Sequence, residues 1–167
     1  ANSNNELHKQ LQLFLHDIKS NSPAFADPAL NGSEKDKAID LRKAGLGLLG
    51  NMIGDHKAVA CIEDSAVSLE DLPAYINEFS LLMKRFNQKP VYYAHAGAGE
   101  LHLRPVLNLK LPSDVQQFKS ITKEVAKLVK KYNGSLSGEH GNGIVRSELI
   151  PFMLGNDVYE ILKHIKY

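Results

Sequence analysis

The sequence predicts an α+β fold. Short β-rich segments at 57–62, 90–95 and 101–109 are interleaved with amphipathic helical stretches, and the last two strands are separated by a glycine loop at 97–99. Such a pair reads as a hairpin, which is antiparallel and so argues against a purely parallel α/β sheet. With 167 residues, 43% of them apolar, and no internal repeat or low-complexity linker, one domain over residues 1–167 is expected.

Leu7, Leu11, Phe14, Leu15 and Ile18 recur at three- and four-residue intervals, so residues 6–19 form an amphipathic helix that needs a partner surface. Pro23 and Pro28 break the pattern, because each lacks an amide donor and restricts the residue before it; 22–28 reads as a connector or short edge strand. Ser33 offers an N-cap for a helix over 34–43, with Gly45, Gly47, Gly50 and Gly54 making its end irregular. The apolar run at 57–62 reads as a buried strand ending at Glu63-Asp64. Ser68 and Asp71 have the spacing of an acidic N-terminal cap for a helix over 69–86. After the hairpin, a long helix over 114–132 stops at Asn133-Gly134. A glycine-rich loop at 134–143, a short helix near 147–153 and a last helix from Asp157 follow.

Twenty basic residues against nineteen acidic ones give a net charge of +1, which supplies no electrostatic reason to bind nucleic acid or anionic lipid. No apolar run has the length of a membrane span, and the single cysteine, Cys61, sits in an apolar run. A reducing, cytoplasmic setting is expected, with peripheral membrane association through a longer protein as an option.

The chemistry is concentrated in two blocks, His95-Ala-Gly-Ala-Gly-Glu-Leu-His102 and Ser137-Gly-Glu-His-Gly-Asn-Gly143. Two neutral imidazoles and a carboxylate form a common three-ligand set for a catalytic divalent ion. His95, His102 and Glu139 supply that set, because a tight glycine turn would bring the two histidines together at the hairpin base. Imidazole as a side-chain type titrates near neutral pH, which makes His140 the natural candidate for acid/base work beside them. The competing reading is a non-catalytic docking or interface domain whose His and Gly loops are structural. Gly45-Leu-Gly-Leu-Leu-Gly50 has the outline of a dinucleotide fingerprint but follows a predicted helix rather than a strand, so the mechanism behind that motif is missing.

Four blocks in order, Asp40-Leu-Arg-Lys43, Ile62-Glu-Asp-Ser-Ala-Val67, Tyr93 to His102 and Gly134 to Gly143, resemble the C-terminal domain of FAD-linked oxidases. These are the glycolate, D-lactate and D-2-hydroxyglutarate dehydrogenases of the vanillyl-alcohol oxidase superfamily. The resemblance implies a ferredoxin-like antiparallel sheet with packed helices, short of a terminal strand, covering the substrate side of an FAD held mainly by a separate domain. It implies a divalent metal, zinc being the expected ion, at His95, His102 and Glu139. His140 is implied to contact substrate and act as base, and Arg42 to bind a substrate carboxylate. Arg104 stands where relatives often carry Asn, as a further carboxylate contact or a changed preference. The implied activity is oxidation of a 2-hydroxy acid of the D-lactate or glycolate type, with a flavin domain and an iron-sulfur domain as partners and the isolated chain inactive.

Overall fold

The computed structural model describes residues 3–21 and 32–166, the Leu46 and Leu48 side chains excepted. The connector expected at 22–28 lies outside the described residues. The chain divides into two compact units, Ala1–Gly45 and Leu46–Tyr167.

In the first unit, α1 spans Asn4–Asn21, its start capped by the Ser3 hydroxyl, which accepts the Glu6 N–H at 3.2 Å. Helix α2 spans Ser33–Gly50, its last residues belonging to the second unit, and so runs through Gly45 and Gly47, past the end expected near residue 43. Each interior glycine costs about 1 kcal/mol of helix propensity relative to alanine, yet none forbids helical dihedrals.

The second unit carries strands β1 (Lys57–Ala58), β2 (Ser65–Ala66), β3 (Val91–His95), β4 (Glu100–Arg104) and β5 (Val106–Leu107). Its helices are α3 (Leu72–Arg85), α4 (Pro112–Lys131), α5 (Gly143–Arg146), α6 (Ile150–Leu154) and α7 (Asn156–Lys166). The α+β class holds, but the antiparallel sheet is divided: β1 pairs with β5, and β2, β4 and β3 form a separate sheet in that order. Proline explains one break. Pro105 has no N–H to give a ladder, so the strand expected over 101–109 splits into β4 and β5, while the Pro105 carbonyl still accepts the Val59 N–H at 2.9 Å. The strand expected over 57–62 likewise shrinks to β1. The chain leaves the ladder before Cys61, and Asp64, at φ 72°, turns it into β2.

Helix α3 begins three residues later than expected. Pro73 sits in its first turn, and Ser68 and Asp71 bond each other in the turn just before it, at 2.8 Å between side chains. Helix α4 ends where Asn133 adopts φ 51°, the left-handed stop expected from Asn-Gly. The core joins Tyr75, Phe79, Leu82 and Met83 of α3, Ile121, Val125 and Val129 of α4, Leu101 and Leu103 of β4, and Cys61 and Ile62. Each fully buried side chain of this size contributes about 1.5–3 kcal/mol. Among the described residues no helix is long and apolar enough to cross a membrane.

Candidate active site

Strand periodicity builds the site. Side chains alternate across a strand, so with Leu101 and Leu103 committed to the core, Glu100, His102 and Arg104 project from the opposite face of β4. The β3 register pairs Tyr93 with His102 and His95 with Glu100, which puts Tyr93 and His95 on that same face. The loop between the strands is a 3-10 turn at Ala96–Ala98 closed by Gly99 at φ 68°. A Cβ on Gly99 would lie 2.1 Å from the Val67 carbonyl oxygen, so only glycine fits this turn without moving β2's continuation.

The expected convergence is present. The His95 and His102 rings lie 5.2 Å apart between centroids, and their Nε2 atoms stand 3.8 and 3.7 Å from Glu139 Oε1. Donor atoms of the three residues lie within 4.8 Å of one another, and this set of two imidazoles and one carboxylate suits a divalent ion. His140 stacks on His102 at 5.3 Å, and its Nε2 is 3.0 Å from Glu139 Oε1. Burial, aided by His140 and His95, holds His102 below the ordinary imidazole range against the opposing pull of Glu63 and Glu139, so the neutral, ligating form is favoured. His102 Nδ1 is buried without a hydrogen bond.

Arg104 lines the same pocket, but its Nη2 already lies 2.7 Å from both carboxylate oxygens of Glu63. Arg42 stands on α2 in the first unit with its side chain exposed.

Four residues of this region carried no role in the sequence reading. Glu63 is buried beneath the histidines, its Oε1 being 3.6 Å from His102 Nδ1 and 3.9 Å from His140 Nδ1. Asp64 is fully buried and accepts the backbone N–H groups of Glu139 and His140 at 2.8 and 2.9 Å, together with the Ser137 hydroxyl. Burial alone would raise Asp64, but hydrogen bonds from Glu100, Ser137 and those two amides outweigh it and hold the carboxyl well below the usual carboxylate range. Glu100 is pushed the other way, up to about 7, by its hydrogen bond to Asp64, by burial and by the nearby Glu139 charge. Arg146 is buried and donates to the carbonyls of Glu63, Leu136 and Gly141, the last two at 2.7 and 2.9 Å. The visible signal was an acidic pair closing an apolar run, a place where ionised groups persist only with partners.

Two further groupings, Glu63-His102-His140 and Asp64-Glu139-His140, also bring donor atoms together. Arg104 places a positive charge directly on Glu63, and the amides and Ser137 occupy both oxygens of Asp64, so neither matches the His95-His102-Glu139 set as a cation site.

A family model described as "FAD linked oxidases, C-terminal domain" matches residues 1–167. The chain belongs to this family. It is 34% identical over 164 residues to a D-2-hydroxyglutarate dehydrogenase of Pseudomonas putida, covering 96% of this chain and 16% of that protein. A D-2-hydroxyglutarate dehydrogenase of Haemophilus influenzae is 41% identical over 126 residues, 75% of this chain and 12% of that protein. The glycolate oxidase subunit GlcD of Bacillus subtilis is 18% identical over 127 residues, 76% of this chain and 26% of that protein. This FAD-linked oxidase domain therefore spans only a small part of the length of these relatives.

Proposed function

We propose that this chain is the substrate- and metal-binding part of an FAD-dependent dehydrogenase that oxidises a 2-hydroxy acid to the 2-oxo acid. The observation that carries this reading is the meeting of His95, His102, Glu139 and His140 in one pocket. The names of several relatives favour 2-hydroxyglutarate over the D-lactate or glycolate type as the substrate class.

His95, His102 and Glu139 would hold a divalent ion, zinc being the expected one, which supplies Lewis-acid polarisation of a bound hydroxyl. The FAD, held mainly by another domain, supplies the hydride acceptor for the substrate Cα. His140 takes the hydroxyl proton, since its ring stands beside Glu139 on the open side of the pocket. Loss of that proton and of the Cα hydride leaves the carbonyl of the 2-oxo acid. Buried His102 stays neutral and fixed, while Glu63 neutralises Arg104 beneath it. A substrate carboxylate would then look to an Arg104 drawn away from Glu63. An iron-sulfur partner domain would pass the electrons on, and the buried Cys61 thiol supports a reducing, cytoplasmic setting.

Metal analysis of the chain tests the ligands: about one zinc or cobalt ion should bind, and the His95→Ala/His102→Ala variant should lose it. In the flavin-loaded protein, His140→Ala should keep flavin and metal while turnover of D-2-hydroxyglutarate falls roughly 10²–10⁴-fold. Near-normal turnover would remove His140 from proton transfer, and an intact protein that binds no metal would favour a docking role for the domain.

A further inference from the structure

We propose that Asp64 is the positioning residue of the site, its carboxylate setting where Glu139 and His140 stand by holding both of their backbone N–H groups. The inference rests on the ligand and base roles given above to those two residues, and extends them to the group that places them.

The geometry is that of a two-pronged clasp. Oδ1 accepts the Glu139 N–H at 2.8 Å and Oδ2 the His140 N–H at 2.9 Å, so two successive peptide groups are fixed against one rigid carboxylate. The Ser137 hydroxyl adds a third donor on Oδ2, and the Asp64 carbonyl accepts the Gly138 N–H at 2.7 Å, so four consecutive residues of the loop bind this one residue. Hydrogen bonds to an ionised acceptor are roughly twice as strong as neutral ones. The side chains of Glu139 and His140 themselves are about half exposed.

Two backbone features serve the clasp. Asp64 adopts φ 72°, a left-handed conformation that is strained for a non-glycine residue and persists where surrounding structure imposes it. Gly138 passes so close that a Cβ there would lie 3.2 Å from Asp64 Oδ1 and 3.1 Å from Glu100 Oε1. A side chain at 138 would therefore crowd the clasp, and the loop or the two carboxyl groups must give by a few tenths of an ångström. Arg146 holds the flanking carbonyls of Leu136 and Gly141, which frames the loop and leaves the orientation of its centre to Asp64.

Asp64→Asn tests this in the chain, because the amide keeps the shape but turns an NH₂ toward one of the two N–H donors. Amide hydrogen exchange at Glu139 or His140 should accelerate about tenfold or more while Leu101 and Leu103 of β4 keep their protection. Cobalt affinity should fall about 10–100-fold, the usual loss when a group supporting a ligand is removed. In a Glu139→Gln background the same substitution should add little further loss, since its effect passes through that ligand. Unchanged exchange at both amides would overturn the proposal, as would an equal loss of cobalt affinity in both backgrounds. If the unsubstituted chain binds no cobalt, the ligand reading fails, and the exchange measurement still decides whether Asp64 holds the loop. If Asp64→Asn does not fold, Gly138→Ala should give the same localised acceleration, and its absence there would overturn the proposal.

Discussion

Arg104 and Glu63, forty-one residues apart, meet through Arg104 Nη2, which lies 2.7 Å from both Glu63 carboxylate oxygens. Their side chains are only 17% and 10% exposed. The pair turns a cation that the sequence offered as a substrate contact into one already engaged, and it keeps a buried carboxylate compensated beneath two imidazoles.

Removing one partner of such a pair strands the other charge, so Arg104→Met should destabilise the chain by about 3–5 kcal/mol, read as a lower urea midpoint. The double variant Glu63→Gln/Arg104→Met should recover part of that loss, because no uncompensated charge remains. A single variant within about 0.5 kcal/mol of the parent, the range of an ordinary surface change, would show that the pair contributes nothing.

The hairpin loop offers a contrast between neighbouring glycines. Gly99→Ala places a Cβ against the Val67 carbonyl at a left-handed φ and should cost roughly 1–3 kcal/mol, with weaker metal binding as His95 shifts. At Gly97 nothing lies within 4 Å of the same Cβ, so Gly97→Ala should stay within about 0.5 kcal/mol of the parent. Thermal unfolding of the two variants side by side would expose equal effects, which the geometry does not allow.

Glu100 gives stability a defined pH dependence in metal-free protein. Its carboxyl is raised from 4.5 to about 7, so the folded chain binds this proton more tightly than the unfolded chain does. The contribution is complete below the unfolded value and is lost as pH rises through about 7. Asp64 has the opposite sign: its contribution is present above its ordinary value of 3.8 and is lost as pH falls below it. Urea midpoints measured with a chelator from pH 4.5 to 7.5 should fall more steeply in the parent than in Glu100→Gln, which stays neutral throughout. Parallel slopes would mean that Glu100 does not retain its proton on folding.

Much of the site was legible because its chemistry is carried by local pattern. A strand, a glycine turn and a second strand fix which residues share a face, so His95 and His102 could be paired through the predicted turn. The Glu139-His140 loop is separated from them in the chain by the whole of helix α4, and its arrival was legible only through the types of residue it carries. The short strands were harder. Pro105 and the left-handed Asp64 cut runs that looked continuous, and helix α2 ran through glycines that looked like a stop.

The sequence by itself determined the α+β class, the hairpin and the amphipathic helices, and it offered the residue types of a donor set, since each depends on periodicity or on residue chemistry over a few neighbouring positions. Only the tertiary structure decided that Glu63 occupies Arg104 and that Asp64 clasps the loop bearing Glu139 and His140. Those contacts join residues forty-one to seventy-six positions apart. A buried charge must find its partner wherever folding brings one, and the order of the chain does not encode that distance.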